Sequence, residues 1–133
     1  MKLSTRSRYG TRLMVDLAEH YDEGPIQIKD IAKRQDISAK YLEQLIIPLK
    51  KTHHIRSIRG PKGGHMLARS PQEITVGEIV KVLEGDISLV YCLKKPGSCN
   101  RIDICPTRDI WKKATEAIFN ELNAVTLSEL IKQ

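Results

Sequence analysis

Residues 28–51 have the sequence IKDIAKRQDISAKYLEQLIIPLKK, and residues 54–68 have the sequence HIRSIRGPKGGHMLA. In the first stretch, apolar side chains recur at helical spacing in two runs, 28–35 and 38–50, which are separated by a short turn. Ser38 is a typical N-cap for the second run. In the second stretch, two short extended runs flank a turn of glycine and proline, which is typical of a β-hairpin. Two helices followed by a hairpin predict a winged helix-turn-helix domain.

Further helices are predicted on both sides of this unit. The first begins near Ser4 or Thr5 and ends before Gly24. Its apolar stripe consists of Tyr9, Leu13, Leu17 and Tyr21. Thr75 and Glu78 have the spacing of a capping box, which predicts a fourth helix that follows the hairpin and runs to about residue 83.

The last part of the chain is predicted to contain a long helix and a short one. Pro106 favours the first turn of a helix that runs to about Asn123, and Thr126 with Glu129 forms a second capping-box pattern. The long helix carries an apolar stripe that a winged domain alone need not bury, so we expect it to form a dimer interface. The stripe consists of Ile110, Ala114, Ala117, Ile118 and Leu122.

The predicted fold is therefore mainly α, with a small β-hairpin wing and a long C-terminal dimerisation helix. We expect residues 1–84 to form the winged helix-turn-helix domain with its following helix. Residues 85–105 are predicted to be a loop because glycine and proline interrupt them. Residues 106–133 are expected to form the dimerisation helix and the short last helix.

The charge of the chain is divided unevenly between its two halves. The net charge is +6, but residues 1–69 carry 14 Lys and Arg against 7 Asp and Glu, whereas residues 70–133 carry 8 against 9. A basic half beside a neutral half favours a nucleic-acid surface joined to a sensing or assembly half. No apolar run approaches the roughly 20 residues needed to cross a bilayer, and the N-terminus lacks the apolar segment of a signal peptide. We therefore expect a cytoplasmic protein without membrane contact.

Double-stranded DNA is the partner that this arrangement predicts. The third helix of a winged helix-turn-helix enters the major groove, where glutamine can pair with adenine, glutamate with cytosine, and lysine with guanine or phosphate. A basic wing can reach phosphate or the minor groove. A solvated helix face and ordinary turn chemistry are the alternative explanations for the same residues. The candidate DNA contacts are Lys40, Tyr41, Glu43, Gln44, Arg56, Arg59, Gly60 and Lys62.

The chain has three cysteines, Cys92, Cys99 and Cys105, and all of them lie in the predicted loop. Clustered thiolates are soft ligands that suit an iron–sulfur cluster, zinc or redox chemistry. The odd number argues against a disulfide framework. Three thiolates are one short of the usual four, so a cluster would need a fourth ligand of another kind.

Catalytic motifs are absent from the sequence. It contains no phosphate-binding loop, no HExxH pattern and no local nucleophile signature. We therefore predict that the chain is not an enzyme.

Three segments together carry a resemblance to a known family. They are residues 2–10 (KLSTRSRYG), 38–45 (SAKYLEQL) and 57–64 (SIRGPKGG). With them, nearly the whole chain resembles the Rrf-type winged-helix transcription regulators, the family of IscR, NsrR and CymR, and its DNA-facing segments are most like those of IscR. The resemblance implies a homodimer on a palindromic operator, and it implies that Lys40, Glu43, Gln44 and Arg59 face DNA. Glu43 matches the position at which IscR-like members use cluster state to choose between sites.

The resemblance also bears on the cysteines. Cluster-sensing members of the family keep three cysteines before the dimer helix, which implies one 2Fe-2S cluster per subunit and control of iron–sulfur cluster biogenesis genes. IscR-like members supply a histidine three residues after the last cysteine, but this chain has Arg108, which cannot ligate. Asp109 and Asp103 remain as candidates for the fourth ligand, beside a distant histidine or an external group. The alternatives are a repressor that senses nitric oxide, iron or redox state, and a thiol or zinc regulator controlled by a partner protein.

Overall fold

A computed structural model describes residues 2–131 of the chain. It confirms a mainly helical fold with a two-stranded antiparallel hairpin. The elements in chain order are α1 (Thr5–Glu19), α2 (Ile28–Gln35), α3 (Ala39–Lys51), β1 (Ile55–Ile58), β2 (Gly64–Leu67), α4 (Val76–Glu84), α5 (Tyr91–Lys94), α6 (Arg108–Asn123) and α7 (Leu127–Ile131). Single 3-10 turns occur at Tyr21–Glu23 and Pro96–Ser98.

Side-chain caps fix where three of the helices begin. The Ser4 hydroxyl accepts a hydrogen bond from the Ser7 amide and caps α1, and Ser38 does the same for α3 through the Tyr41 amide. At α4 the capping box is complete, because the Thr75 hydroxyl accepts from the Glu78 amide while the Glu78 carboxylate accepts from the Thr75 amide. Each cap satisfies backbone donors that the helix itself leaves unpaired.

The hydrophobic core lies where α1 packs against α2, α3, α4 and α7. Leu13 and Leu17 of α1, and Leu42 and Leu45 of α3, are almost completely buried. The last helix joins this core, since Leu127 is fully buried and its amide donates to the Ile74 carbonyl at 2.9 Å. Helix α7 is therefore packed against α1.

One ion pair is built into this core. Asp16 of α1 is fully buried and accepts from Arg34 Nη2 at 2.8 Å, Arg34 Nε at 3.0 Å and Gln35 Nε2 at 3.0 Å. Burial opposes the charged form of Asp16, but these hydrogen bonds outweigh it and hold the pKa of the carboxyl below its usual value. The network sets α2 at a fixed position on α1.

The segment that follows α4 differs from the prediction in two details. Residues 85–105 are not entirely a loop, since they contain the one-turn helix α5 and a 3-10 turn. The long helix begins at Arg108 instead of Pro106, and Thr107 at its N-cap position makes no side-chain capping hydrogen bond. From residue 84 to residue 126 no side chain is buried, so little tertiary packing constrains these boundaries.

Candidate nucleic-acid interface and cysteine segment

The recognition helix α3 presents a polar face to solvent. Leu42, Leu45, Ile46 and Leu49 are buried. Lys40, Glu43 and Gln44 are exposed, as the sequence predicted for residues that contact DNA. Ile47 is also exposed, at 55%, and sequence reasoning did not single it out. An exposed isoleucine beside glutamate and glutamine can contact a thymine methyl group, which adds an apolar element to this face.

Tyr41 occupies a different environment from the other predicted contacts. Its ring is half-buried and packs edge-to-face on Tyr9 of α1, with the centroids 5.9 Å apart. The guanidinium groups of Arg8 and Arg12 lie 5.8 and 5.2 Å from the Tyr9 centroid. Arg8 is exposed and was not among the predicted contacts, although its segment carried the family resemblance. The surface beside α3 is therefore more basic than α3 alone.

The turn between α2 and α3 is held by contacts to α1. Asp36 adopts a left-handed conformation with φ of 53°, which aspartate tolerates better than most residues, and it ends α2. Ile37 is buried, and the Arg12 guanidinium of α1 donates to the Gln35 carbonyl. Together with the Asp16 network, these contacts fix the angle at which α3 leaves the domain.

The wing is a tight antiparallel hairpin in which Ile55 pairs with Leu67 and Ile58 pairs with Gly64. Arg56, Arg59, Gly60 and Lys62 are all exposed. Gly60 has φ of 109°, a conformation that L side chains rarely adopt, and a Cβ at Gly63 would collide with the Ile58 carbonyl. Glycine is therefore required for the turn itself, whatever else it contacts.

The wing is also joined to the rest of the domain. Ile26 and His65 exchange two backbone hydrogen bonds of 2.8 Å, so the segment before α2 forms a bridge to β2. His65 Nδ1 lies 2.7 Å from the Ser57 hydroxyl across the hairpin. Burial and then the Lys50 charge lower the pKa of His65, while Glu43 opposes them. His65 therefore lies at the junction of wing and recognition helix, which does not favour it as a ligand of the cysteine segment.

The three cysteines are free and half-buried. Cys92 lies in α5, Cys99 follows the 3-10 turn, and Cys105 precedes α6. Within residues 2–131 no three His, Cys, Asp or Glu side chains are gathered in a way that could hold a metal ion. The Cys105 thiol lies 3.2 Å from the Thr107 hydroxyl, and this hydrogen bond lowers the pKa of the thiol. Asp103 and Asp109, the candidate fourth ligands, are exposed.

Much of the apolar stripe of helix α6 is accessible to solvent. Ala114, Ile118 and Leu122 are half-buried against the chain, whereas Ile110 is 53% exposed and Ala117 is exposed. Trp111, beside the stripe, is 41% exposed. A cavity of about 550 Å³ lies between the end of α4 and α6 and includes Phe119 in its lining. No helix within residues 2–131 has the length and apolar character required to cross a membrane.

Two helices at a fixed angle, an exposed recognition face and a basic hairpin define a winged-helix DNA-binding transcription regulator. Residues 3–133 match the Rrf2 family, described as an iron-dependent transcriptional regulator. The chain belongs to this family, and the prediction of a regulator that is not an enzyme is confirmed.

Individual relatives agree with this assignment. The chain is 47% identical over 132 residues to the protein rrf2 of Nitratidesulfovibrio vulgaris. The matched region covers 99% of this chain and 88% of that protein. T. potens IscR superposes with a TM-score of 0.81 at 42% identity, over 99% of this chain and 87% of that one. CymR of B. subtilis, named the global cysteine regulator, superposes with a TM-score of 0.80 at 38% identity, over 98% of this chain and 95% of that one.

Proposed function

We propose that the chain acts as a homodimer that binds a palindromic operator and that its DNA binding responds to an iron–sulfur cluster. The observation that carries the proposal is the confinement of all three cysteines to one weakly packed segment. This segment lies between α4, which packs on the winged domain, and α6, which carries the open apolar stripe. A ligand in this position would act on both the DNA-binding half and the dimer helix.

The DNA-binding residues are assigned from exposure and chemistry. Lys40, Glu43 and Gln44 would face base edges, and Arg59 and Lys62 would reach phosphate or the minor groove. Tyr41 would position α3 through its packing on Tyr9. Arg56 lies 3.4 Å from the Met66 sulfur across the hairpin, so it would also stiffen the wing.

The donor set of the cysteine segment fits a 2Fe-2S cluster, one per subunit. The thiols are free and half-exposed, and the pKa of Cys105 is lowered, which favours the thiolate that iron requires. When bound, such a cluster supplies a metal centre that oxidants and iron supply can alter. Cys92, Cys99 and Cys105 would hold it, with a non-cysteine fourth ligand such as Asp109 or Asp103. The segment would have to close up to do so, and its lack of buried side chains would allow this.

The dimer is assigned to α6. Its apolar stripe includes half-buried and exposed side chains, and its neighbours Trp111 and Phe119 border the same face. A two-fold axis beside α6 would place two recognition helices in successive major grooves of a palindrome. We further infer that the regulated genes belong to iron–sulfur cluster biogenesis, as expected for an IscR-like regulator.

A thiol-based or zinc regulator is the second candidate. It is favoured by the similarity to a protein named the global cysteine regulator, and the free thiols are available for such chemistry. Such a regulator would be colourless, because neither zinc nor thiols absorb visible light. Sensing of nitric oxide or iron by the same cluster would leave the DNA-binding assignment unchanged.

Anaerobic purification with iron and sulfide analysis and an absorption spectrum tests the proposal. We expect about two irons and two sulfides per chain, with visible absorbance that is lost in each of Cys92→Ser, Cys99→Ser and Cys105→Ser. Ser88→Ala, in the same segment, serves as a matched control and should keep the spectrum. Asp109→Asn and Asp103→Asn then compare the two fourth-ligand candidates. A colourless protein that binds zinc or nothing at these thiols would contradict the cluster and favour the second candidate.

A further inference from the structure

A single carboxylate, that of Glu78, is shared between the wing and the helix that follows it. Glu78 Oε2 accepts from the Thr75 amide at 2.8 Å, which completes the cap of α4. Glu78 Oε1 accepts from Arg69 Nη2 at 3.3 Å. Arg69 lies two residues after the end of β2, so one side chain joins the exit of the wing to the first turn of α4.

The same turn of α4 also receives the C-terminal end of α6. The Thr75 hydroxyl, which caps α4, donates to Asn123 Oδ1 at 2.6 Å. The Val76 amide donates to the Val125 carbonyl at 2.9 Å, and Thr75 and Thr126 form an isolated β-bridge. The capping box therefore lies between the wing on one side and the end of the long helix on the other.

A buried histidine, His54, lies at the base of the wing. His54 is 6% exposed, and its Nδ1 lies 2.8 Å from the Thr52 hydroxyl, but its Nε2 is buried without a partner. Its backbone carbonyl accepts from the Ala68 amide at the other strand of the wing. The charged and titratable groups that act on it are Arg69 after β2, Glu78 on α4 and the adjacent His53.

We propose that Glu78 is a positioning residue for the wing and that it couples the wing to the end of α6 through the capping box. The Arg69 side chain at the exit of the wing and the Thr75 amide at the cap of α4 share this carboxylate, so removing its charge should loosen the wing. Burial and Arg69 lower the pKa of His54, while Glu78 raises it.

The sharpest variant is Glu78→Gln, because glutamine also serves at this position of a capping box but carries no charge. We expect α4 to stay capped while the Ala68 amide and the wing amides exchange hydrogen about two- to fivefold faster, as expected for loss of a partly exposed ion pair. Glu73→Gln is the matched control, since it removes the same charge from an exposed carboxylate that accepts from the Ser70 amide and makes no ion pair with Arg69. The Arg69 side chain donates instead to the Glu73 backbone carbonyl, which the substitution keeps.

The pKa of His54 can be measured by following its ring proton resonances in an NMR titration. This pKa would not change if Glu78 had only a structural role. It should fall in Glu78→Gln and rise in Arg69→Gln, and Glu73→Gln should leave it unchanged. Asn123→Ala tests the link to α6. It should speed wing exchange in the native protein and add nothing further in Glu78→Gln.

Operator affinity tests whether the coupling affects DNA binding. Of the measurements described, only this one rests on the proposed function. Glu78→Gln should weaken operator binding about two- to fivefold, the size expected for one partly exposed ion pair, while Glu73→Gln binds like the native protein. Equal wing exchange and equal His54 titration in Glu78→Gln and Glu73→Gln would overturn the inference. Absence of any operator, with the exchange and titration results as expected, would count against the proposed function alone.

Discussion

Segments 2–83 and 84–126 differ in how far their apolar side chains are buried. The first buries Leu13, Leu17, Leu42 and Leu45 almost completely, whereas the second buries no side chain at all. Yet the second carries isoleucines, a tryptophan and a phenylalanine on α6 and in the cysteine segment. Exposed apolar surface of this kind marks a surface that a partner covers. The difference shows that the winged half, together with α7, holds the hydrophobic core. Under the proposed function, a second copy and a cluster would cover the apolar surface of the other half.

The largest contrast is expected in the cost of truncating a leucine or an isoleucine. Leu45→Ala should lower the free energy of unfolding by about 2–5 kcal/mol, because Leu45 is fully buried. Ile110→Ala, at a side chain that is 53% exposed, should change the unfolding of the monomer by less than about 0.5 kcal/mol. Urea denaturation of both variants at low protein concentration checks this. Equal losses would show that the two segments form one core.

A charge placed on the α6 stripe should affect assembly more than folding. Ile118→Asp should weaken dimerisation by about 100-fold, because a carboxylate without a partner would enter the contact between the two helices. Sedimentation at several concentrations measures the change. Lys112→Asp, on the opposite and exposed side of α6, is the control and should still dimerise. Dimers that survive Ile118→Asp would place the interface elsewhere.

The buried Asp16 should make the stability of the winged half depend on pH. Asp16→Asn should cost about 2–3 kcal/mol of stability at neutral pH, because Arg34 and Gln35 lose a charged acceptor. The pKa of Asp16 is lowered in the folded state, so its contribution is fully present above the unfolded pKa of about 4 and disappears as the pH falls further. Thermal melts of both proteins are recorded between about pH 3 and pH 7 in steps of roughly one unit. Their melting temperatures should converge as the pH falls. A constant difference would mean that Asp16 is not ionised in the fold.

The smallest expected effect concerns the recognition face. Gln44→Ala should lose about 1–3 kcal/mol of discrimination at one base pair in each half-site and leave the fold intact. Competition binding with operators mutated at single positions measures this. Lys51→Ala, an exposed change at the far end of α3, should weaken all sequences alike. Loss of affinity without loss of discrimination in Gln44→Ala would remove Gln44 from the base contacts.

The winged half could be predicted closely from the sequence because its signals are local. Ser38 and the box of Thr75 with Glu78 cap the helices that their patterns predicted, and glycine at residues 60 and 63 forms the wing turn. The core ion pair of Asp16 and Arg34 was not predicted, because it joins residues on different helices and has no sequence spacing of its own.

The cysteine segment could be predicted less closely. The assignment of Cys92, Cys99 and Cys105 as soft ligands stays a prediction, and α5 and the start of α6 at Arg108 were missed. Weak local preferences decide these short elements, since no buried side chain between residues 84 and 126 fixes them. The same lack of packing leaves the choice between Asp103 and Asp109 to experiment.

Selection of binding sites from a random duplex library, with the anaerobically prepared protein, tests the central claim most directly. The enriched sequences should form a palindrome whose half-sites lie about one helical turn apart. Binding to the selected site should weaken steeply with salt, with a log–log slope on the order of −5 to −10. Cys99→Ser, with its winged half intact, should change the affinity or the site that is selected. Enrichment of no sequence, or the same site and affinity with and without the cysteines, would contradict a regulator in which one half reads DNA and the other controls it.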